Sequence, residues 1–431
     1  MESVWTQTVH PENFRQLKEN IKTDVLIIGG GITGILSAYM LSQAGINYVL
    51  AESSQILSGV TKNTTAKITV QHGLIYSRIT SMYGSEKAQM YLQANEDALE
   101  KYAELCRSIR CGYEVKDSCV YSLDNREKLI REVMALEKIG YKAEFSEEPG
   151  LPFETVGGVY FKNQAQYNPL EFLTALAGRL NIYENTPVRS IEGHTAITDH
   201  ANITAKKIIV ATHFPFINKH GSYFIKMYQH RSYVLAAANA PIPDAMYVDE
   251  AQNGISLRSY EDLTLIGGGG HRTGKQGGCW QELQAYADKY YPGYHEKYRW
   301  ATQDCMTLDG IPYIGRYSAR TPDLYVATGF NKWGMTSAMA AAQILTDMVS
   351  GKRNPYESVF SPSRNILKPQ LALNACEAAA GFLSITKKRC PHLGCALKWN
   401  REEHSWDCSC HGSRFDENGN LIDNPATKDI H

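Results

Sequence analysis

Four of the chain's ten cysteines crowd into positions 390 to 410, with histidines beside them. Cys390-Pro391-His392 is followed, after 15 residues, by Cys408-Ser409-Cys410-His411, which gives the pattern C-x-H-x15-C-x-x-H. In a chain from a reducing compartment, cysteines clustered in this way indicate metal binding before structural disulfides. A tetrahedral zinc site with two cysteine and two histidine ligands uses the same side chains and is one interpretation of the pattern.

A second chemical motif, Gly29-x-Gly31-x-x-Gly34, follows the apolar run Asp24 to Ile28, which predicts a buried strand, and opens a predicted helix, Ile32 to Leu41. The first glycine permits a tight turn, the second lets the backbone approach a pyrophosphate, and the third lets the helix pack on the strand. Glu52 ends the next predicted strand, 18 residues after Gly34, and can accept hydrogen bonds from ribose hydroxyls. The unit predicts a dinucleotide site for FAD or NAD, and the presence of a single such unit disfavours a nicotinamide partner.

Two further stretches, Ser58 to Gly73 and Thr307 to Thr336, resemble flavoenzymes of the D-amino-acid oxidase and glycine oxidase superfamily. The resemblance covers residues 20 to 355 in round numbers and implies that FAD is the cofactor. It also implies a late helix whose N-terminus faces the flavin pyrimidine ring and stabilises the negative charge of reduced flavin. The residues that it places along FAD are Gly29, Gly31, Gly34, Glu52, Thr61, Thr65, Ala66, Val188, Ala211, Gly329, Gly334, Met335 and Thr336.

The cysteine–histidine pattern resembles the Rieske [2Fe–2S] motif. This resemblance implies that Cys390 and Cys408 bind one iron and that His392 and His411 bind the other. Because neutral imidazoles replace two thiolates, the cluster carries less negative charge and is easier to reduce than an all-cysteine cluster. Such a cluster can accept electrons from a reduced flavin.

Further details of this C-terminal module also come from the resemblance. Cys395 and Cys410 fall where many Rieske proteins carry a disulfide, so this pair is a possible disulfide. The interval between Tyr356 and Cys390 is too short for the strands that precede the first cysteine of a full Rieske domain. We therefore expect an abbreviated module that leans on the flavin domain to bury its base. The basic run Lys387-Lys388-Arg389 is interpreted as a solvated turn, or as a partner for the charge of the reduced cluster.

A substrate site is expected on strand-end stretches that face the flavin. Arg258 and His271 lie in such stretches, Ser256 to Tyr260 and Gly267 to Gly274, and are the candidate catalytic residues. An arginine commonly clamps the carboxylate of an amino acid in the superfamily that the chain resembles. Hydride transfer to flavin needs a neutral amine and correct positioning more than it needs a strong base, and the sequence shows no obvious base.

The elements that position these motifs predict an α/β protein. The expected architecture is a Rossmann-like FAD-binding domain with an inserted α+β substrate domain and a small C-terminal β-rich Rieske-type module. The expected boundaries are residues 1–84, 152–220 and 301–356 for the discontinuous FAD-binding domain and residues 85–151 and 221–300 for the substrate domain. Residues 357–431 are expected to form a linker helix and the [2Fe–2S] module.

The composition of the chain limits the classes of binding partner that are expected. The chain has 431 residues, with 44 basic and 45 acidic side chains and a net charge of −1, which argues against nucleic acid as a partner. No apolar run approaches the roughly 20 residues of a transmembrane segment, and residues 1–23 do not look like a signal peptide, so cytoplasm is the expected location.

The hypothesis from sequence is an FAD-dependent dehydrogenase that oxidises a small amine or amino acid by hydride transfer. Its electrons would pass through a Rieske cluster to an external one-electron acceptor. Three alternatives remain open: a redox-sensing or electron-transfer flavoprotein, an RNA-modifying flavoprotein, and a reductase in which electrons flow from cluster to FAD.

Overall fold

The structure of the protein, a computed structural model, describes residues 2–384, 386 and 388–430. Lys387 of the predicted basic turn therefore lies outside the described residues. The strands are β1 (Ile21–Ile28), β2 (Tyr48–Ala51), β3 (Lys67–Ile68), β4 (Glu114–Ser122), β5 (Glu144–Ser146), β6 (Gly157–Gln166), β7 (Ile182–Tyr183), β8 (Val188–Glu192), β9 (Thr195–Thr198), β10 (Asn202–Val210), β11 (Met227–Ala238), β12 (Met246–Asp249), β13 (Ser256–Tyr260), β14 (Leu263–Arg272), β15 (His295–Thr307), β16 (Tyr313–Arg316), β17 (Leu324–Thr328), β18 (Leu397–Asn400), β19 (Ser405–Cys408), β20 (Arg414–Phe415) and β21 (Leu421–Asp423).

Helices cover the two large sheets. They are α1 (Ile32–Gln43), α2 (Ile75–Tyr83), α3 (Ser85–Cys106), α4 (Arg126–Lys138), α5 (Pro169–Ala177), α6 (Tyr223–Lys226), α7 (Cys279–Tyr290), α8 (Gly334–Val349), α9 (Glu357–Phe360) and α10 (Pro369–Leu383), with short 3₁₀ helices at Val4–Gln7 and Val60–Asn63. Among the described residues, no helix combines the length and the apolarity that crossing a bilayer requires.

The first sheet has the order β16-β17-β10-β1-β2-β7, with β9 on β10 and β8 on β9. The pairs of β1 with β2 and β10, of β10 with β17, and of β2 with β7 are parallel, as βαβ connections require. The last four residues of β1 are buried, and α8 is buried around most of its surface, because α1 and α8 pack together against this sheet. The predicted Rossmann-like arrangement is confirmed.

The second sheet has the order β15-β11-β14-β13-β12-β4-β6-β3, with β5 on β6. It draws in β3, β6 and the end of β15, which the predicted boundaries assign to the FAD-binding domain. The difference has a physical reason: alternation of apolar and polar residues identifies a strand but not its pairing partner, and here the partners are far apart in the chain. The division into domains stays a prediction.

The C-terminal module is a small sheet of order β18-β19-β20-β21, preceded by α10. Its core holds four cysteines together with Leu397, Phe415 and Ala426. A core of this size is small for independent stability, and the module rests on the second sheet. Glu403 of the module accepts hydrogen bonds from Arg231 and Tyr233 of β11, and Arg231 has 3% of its side chain exposed.

Candidate active site and cluster site

The glycine turn between β1 and α1 is built from close backbone approaches. Gly29 has a φ of +111°, and a Cβ at this position would lie 2.6 Å from the carbonyl oxygen of Ala211. A Cβ on Gly34 would lie 1.8 Å from the carbonyl oxygen of Gly29, so α1 packs directly against the turn. Gly31 is the N-cap of α1. The amides of the first helical turn, which have no acceptor within the helix, therefore lie where an anionic pyrophosphate is stabilised.

Two side chains that the sequence predicted complete the turn. Glu52 follows β2, and its two carboxylate oxygens accept hydrogen bonds from the backbone amides of Gly30 at 2.6 Å and Ser54 at 3.0 Å. The hydroxyl of Thr61 accepts a hydrogen bond from the backbone amide of Ile32, in the first turn of α1, at 3.0 Å. Oε1 also accepts from the Ser53 hydroxyl at 2.8 Å, whereas Oε2 has a second lone pair, so Glu52 keeps acceptor capacity for a ribose hydroxyl at Oε2.

A cavity of about 1230 Å³ is lined by the glycine turn, by both large sheets and by the C-terminal module. This volume exceeds the roughly 300–1,000 Å³ of an ordinary small-ligand pocket, so a dinucleotide and a second small molecule fit together. The predicted cofactor residues that line it are Gly29, Gly31, Glu52, Thr61, Thr65, Val188, Ala211, Gly329, Gly334 and Met335. The other three, Gly34, Ala66 and Thr336, lie behind its wall, and Ala66 and Thr336 are fully buried. Contact of these residues with FAD stays a prediction.

Among the charged side chains in the cavity wall that the sequence did not predict are Lys67, Lys332 and Asp304. Burial and the charge of Arg258 lower the pKa of Lys67 to about 7. Lys332, which precedes α8 with a φ of +73°, also has a pKa lowered by burial, while burial raises the pKa of the Asp304 carboxyl. A signal for both lysines existed, because each is a cation inside a stretch that otherwise resembles the flavin-facing segments of the superfamily.

His72 is a neutral member of the same wall. Its Nδ1 atom lies 2.6 Å from the Tyr91 hydroxyl, and its Nε2 atom lies 2.9 Å from the carbonyl oxygen of Thr69. The ring stacks on Trp333 with centroids 5.2 Å apart. Burial lowers the pKa of His72 to about 3, so the imidazole is uncharged at neutral pH. It fixes the segment before α8 against the segment after β3.

Two loops of the C-terminal module repeat one backbone geometry, the first beginning at Cys390 and the second at Cys408. In each, the cysteine amide donates to the carbonyl five positions later, and the cysteine carbonyl accepts from the glycine amide four positions later, all at 2.9 Å. These glycines, Gly394 and Gly412, have φ values of +82° and +84°, which glycine adopts without steric cost. Each loop carries two cysteines and one histidine, of which one cysteine and the histidine are predicted cluster ligands.

The two predicted histidine ligands face each other across the loops. Nδ1 of His392 lies 3.3 Å from Nδ1 of His411. Nε2 of His392 lies 2.9 Å from the side-chain oxygen of Asn218, and because an amide oxygen only accepts, Nε2 carries the hydrogen and Nδ1 is left free. Burial and the neighbouring His411 lower the pKa of His392 to about 4.

The four cysteines of the module are buried together. The sulfur atoms of Cys395, Cys408 and Cys410 lie within 4.8 Å of one another, and Cys390 lies next to Cys408. All four are free thiols in the structure. The two sulfur atoms of Cys395 and Cys410 are close neighbours, as a disulfide requires, but the disulfide itself stays a prediction.

The module and the glycine turn meet at one cavity. Residues 421–424, 426 and 427 of the module line the same space as Gly29 and Glu52. The side-chain amide of Asn424 also donates to the carbonyl oxygen of Phe214 at 2.9 Å, directly after the Ala211 motif. The sequence left the position of the module relative to the flavin open, and the structure places its last strand at the cofactor cavity.

A family model described as FAD dependent oxidoreductase, DAO, matches residues 24–348. The chain belongs to the DAO family of FAD-dependent oxidoreductases. A second model, the Rieske [2Fe-2S] domain, matches residues 363–431. The resemblances predicted from the two motifs are confirmed, and so are the two cofactors of this oxidoreductase, FAD and a [2Fe–2S] cluster.

Similar proteins agree with this composite architecture. YhfW of Bacillus subtilis (strain 168), which is named as a Rieske 2Fe-2S iron-sulfur protein, is 35% identical, and the alignment covers 100% of this chain and 97% of that protein. Gamma-glutamylputrescine oxidoreductase of Escherichia coli (strain K12) is 24% identical over 84% of this chain and 93% of its own length. Glycine oxidase from Geobacillus kaustophilus shares the fold, with a TM-score of 0.67 and 20% identity over 80% of this chain and 99% of that one.

The residues present fit both cofactors of this DAO-family oxidoreductase. At the FAD site, the turn leaves no space for a Cβ at Gly29 or Gly34, the helix amides of α1 suit the pyrophosphate, and Glu52 suits the ribose. At the cluster site, two buried thiols and two Nδ1 atoms converge from paired loops, and Asn218 sets the tautomer of one histidine. A zinc site fits these four ligands too, but the repeated loop geometry and the domain match favour the iron–sulfur cluster.

Arg258, a predicted catalytic residue, is not among the residues that line the cavity. It is fully buried, and its guanidinium donates to the carbonyl oxygens of Thr65 at 2.6 Å and Ala66 at 2.8 Å. Arg258 therefore holds the strand that carries Lys67, instead of presenting its guanidinium to a substrate. The sequence could not show this, because the carbonyls that it binds belong to a segment almost 200 residues earlier in the chain.

His271, the second candidate, is likewise absent from the cavity lining. Its Nε2 atom lies 2.9 Å from the hydroxyl of Tyr233, and Nδ1 lies 3.0 Å from the carbonyl oxygen of Arg272. Tyr233 donates onward to Glu403, so His271 belongs to the network under the Rieske module. In a strand, successive side chains alternate between faces, and the cavity is lined here by the neighbouring residue Gly270.

Proposed function

We propose that this oxidoreductase oxidises a small amine or amino acid and delivers the electrons one at a time, through its Rieske cluster, to an external one-electron acceptor. The observation that carries the proposal is the shared cavity, since the last strand of the Rieske module lines the same space as the glycine turn. A flavin held by that turn and a cluster held by the module are then neighbours within one chain.

The substrate class is inferred from the cavity wall. Lys67 and Lys332 place cationic groups in a partly buried cavity, where a carboxylate or another anionic group is bound more strongly than in water. A relative that is similar over most of its length is named for gamma-glutamylputrescine, a compound with an amine. We therefore propose an amine substrate that carries an acidic group, with Lys67 and Lys332 in the role that the sequence gave to Arg258.

The overall reaction balances without a further reagent. Oxidation of a CH–NH unit to an imine releases two electrons and two protons, and water then hydrolyses the imine. FAD, when bound, supplies the hydride acceptor and a two-electron store that can be emptied in single steps. The chain itself positions the substrate, excludes water and holds the cluster.

We further propose a dehydrogenase, because molecular oxygen takes electrons from a reduced flavin without a relay and an oxidase has no need of the cluster. A cytoplasmic location, expected from the sequence, belongs to the same proposal. Electron flow in the reverse direction, from the cluster to FAD, would use the same geometry. Experiment must distinguish the two directions of flow.

Low-temperature EPR on anaerobically purified protein tests the proposal. The sample is recorded before and after a panel of amines and amino acids, and again after dithionite. The expected result is a Rieske-type signal that appears after addition of an amine that also carries an acidic group. A signal with dithionite but with no member of the panel would overturn the substrate class, and rapid H₂O₂ formation with the cluster still oxidised would overturn the relay.

A further inference from the structure

One loop of the first sheet faces both cofactor sites. After β10, residues Ala211, Thr212, His213 and Phe216 line the cavity. Asn218, a few residues later in the same loop, contacts the predicted cluster ligand His392. A single short segment therefore carries side chains to the FAD cavity and to the cluster.

Gln229 on β11 lies behind the second cluster loop and is almost completely buried. Its side-chain amide donates to the carbonyl oxygen of His411 at 2.9 Å and to that of Asn424 at 3.2 Å. A Cβ on Gly412 would lie 2.6 Å from the Cβ of Gln229, so the loop approaches this side chain as closely as a backbone can. Gln229 is thus fixed to the residue that supplies one cluster ligand.

His213 lies between Gln229 and the cavity. Its backbone has a φ of +65°, and its carbonyl oxygen accepts a hydrogen bond from the thiol of Cys305 at 3.4 Å. Asn424 of the Rieske module binds the carbonyl oxygens on both sides of it. A strained backbone that is held from two domains marks a position where geometry is over-determined.

The side chains of His213 and Gln229 complement each other. Nε2 of His213 and Oε1 of Gln229 are both buried, and neither has a partner within hydrogen-bond distance among the described residues. Gln229 and His213 share two neighbours. Gln229 donates to the carbonyl oxygen of Asn424, whose side chain binds the carbonyls on either side of His213, and Gln229 lies in register with Cys305, whose thiol donates to the carbonyl oxygen of His213. Buried polar groups are rarely left unpaired, and a side-chain movement that joined an imidazole N–H of His213 to the Gln229 carbonyl oxygen would satisfy both residues.

We infer that His213 and Gln229 form the bridge through which electrons pass between the FAD cavity and the cluster ligand His411. The inference rests on the proposed function and names the residues of its relay. Each electron that leaves the reduced flavin converts one Fe(III) of the cluster to Fe(II) and is then taken by the external one-electron acceptor. Two such passages reoxidise the flavin, and its protons are released to water.

The test avoids the unknown substrate. FAD is reduced by light and EDTA under anaerobic conditions, and reduction of the cluster is followed by absorbance and by freeze-quench EPR. The variants are Gln229→Met, which keeps the length but loses the amide, and His213→Asn, because asparagine tolerates a positive φ. We expect each to slow cluster reduction roughly 10-fold or more, the scale at which outer partners of metal ligands act, with an unchanged dithionite-reduced EPR spectrum.

Gln303→Met is the matched control. The side-chain amide of Gln303 donates to the carbonyl oxygen of Gly412 at 2.9 Å and so holds the same loop, but its side-chain oxygen already accepts from the Thr273 hydroxyl, unlike the oxygen of Gln229. Equal rates in wild type, Gln229→Met and His213→Asn would refute the bridge and leave the proposed function standing. If Gln303→Met slows cluster reduction as much as the two bridge variants do, then His213 and Gln229 only anchor the loop. The same conclusion would follow if both bridge variants lost the cluster while Gln303→Met kept it. Failure of the wild-type cluster to be reduced would instead refute the proposed relay.

Discussion

Glu403→Gln tests whether charge holds the Rieske module on the second sheet. The Glu403 carboxylate has 9% of its side chain exposed and accepts hydrogen bonds from Arg231 Nε at 2.9 Å, Arg414 Nη2 at 2.8 Å and the Tyr233 hydroxyl at 3.0 Å. Two of these partners belong to β11 and one to the module. The substitution removes the negative charge, keeps the size of the side chain and leaves two arginines partly unpaired.

Two estimates of the magnitude agree. Burial raises the pKa of Glu403, but Arg231 and Arg414 more than offset it and lower the pKa to about 2 from its ordinary 4.5. At about 1.4 kcal/mol per pKa unit, this difference corresponds to roughly 3 kcal/mol. Removing one partner of a buried ion pair costs about 3–5 kcal/mol, and the lower end applies here because Asp407 and Asp423 still pair with Arg414.

The assay is hydrogen exchange of the module's backbone amides, followed by mass spectrometry. Because 1.4 kcal/mol is a factor of ten, a loss of about 3 kcal/mol raises the open fraction roughly 100-fold, and peptides from β18 to β20 should exchange faster by that factor. Glu402→Gln is the control, since Glu402 contacts Gln281 at 3.3 Å outside this network. An effect below about threefold, or one equal to that of the control, would refute the reasoning.

The pH dependence of Glu403 has a definite sign. Its pKa is lower in the folded protein than in the unfolded chain, so its contribution to stability is fully present above about pH 4.5 and is lost as the pH falls through about 2. The difference between wild type and Glu403→Gln should therefore be constant between pH 6 and 8. A difference that grows or shrinks across that window would mean that another group carries the effect.

Three further predictions follow from the same geometry. Gly34→Ala should abolish FAD binding, measured by flavin absorbance of the purified protein, because its Cβ would lie 1.8 Å from a backbone oxygen; Gly178→Ala, where a Cβ meets nothing within 4 Å, should bind FAD normally. Lys67→Met should lower kcat/KM for an acidic amine by about 10- to 100-fold, as expected for a lost charged hydrogen bond, and should spare a neutral amine. Since the pKa of Lys67 is about 7, the wild-type affinity for an anionic substrate should fall as the pH rises through 7, and this step should be absent in Lys67→Met. Gly412→Ala should undock the second cluster loop, seen as a changed Rieske EPR spectrum, because its Cβ would lie 2.6 Å from a glutamine of β11.

The motifs at Gly29 to Gly34 and Cys390 to His411 were predictable because their chemistry is local. A turn, a helix start and a pair of metal-binding loops each need particular residue types at short spacing, and the structure keeps those spacings. The start of α5 was equally predictable, because the side-chain oxygen of Asn168 accepts hydrogen bonds from the backbone amides of the first turn. These features follow from physics that acts within a few residues.

The direction in which Arg258, Lys67 and Lys332 point was not predictable in this way. Arg258 and Lys67 are brought together by the second sheet, which pairs strands from distant parts of the chain and so decides which side chain reaches the cavity. An arginine in a strand is expected to seek an anion, but here the nearest acceptors are backbone carbonyls of a left-handed turn at Ala66. Strand pairing, and not residue type, therefore decides that Lys67 lines the cavity and that Arg258 does not.

The same argument explains why an abbreviated Rieske module can serve as a relay. A module without its own base must bury its inner surface against another part of the protein. Strands β11 and β15 provide that surface through Arg231, Gln229 and Gln303. Each of these hydrogen bonds is exchanged for one to water when the module is released, and each contributes a net stabilisation of about 0.5–1.5 kcal/mol. A module held in this way does not swing between partners in the way of a tethered domain. In the proposed relay, electrons would therefore leave the cavity over a fixed path, and the external acceptor would come to the cluster.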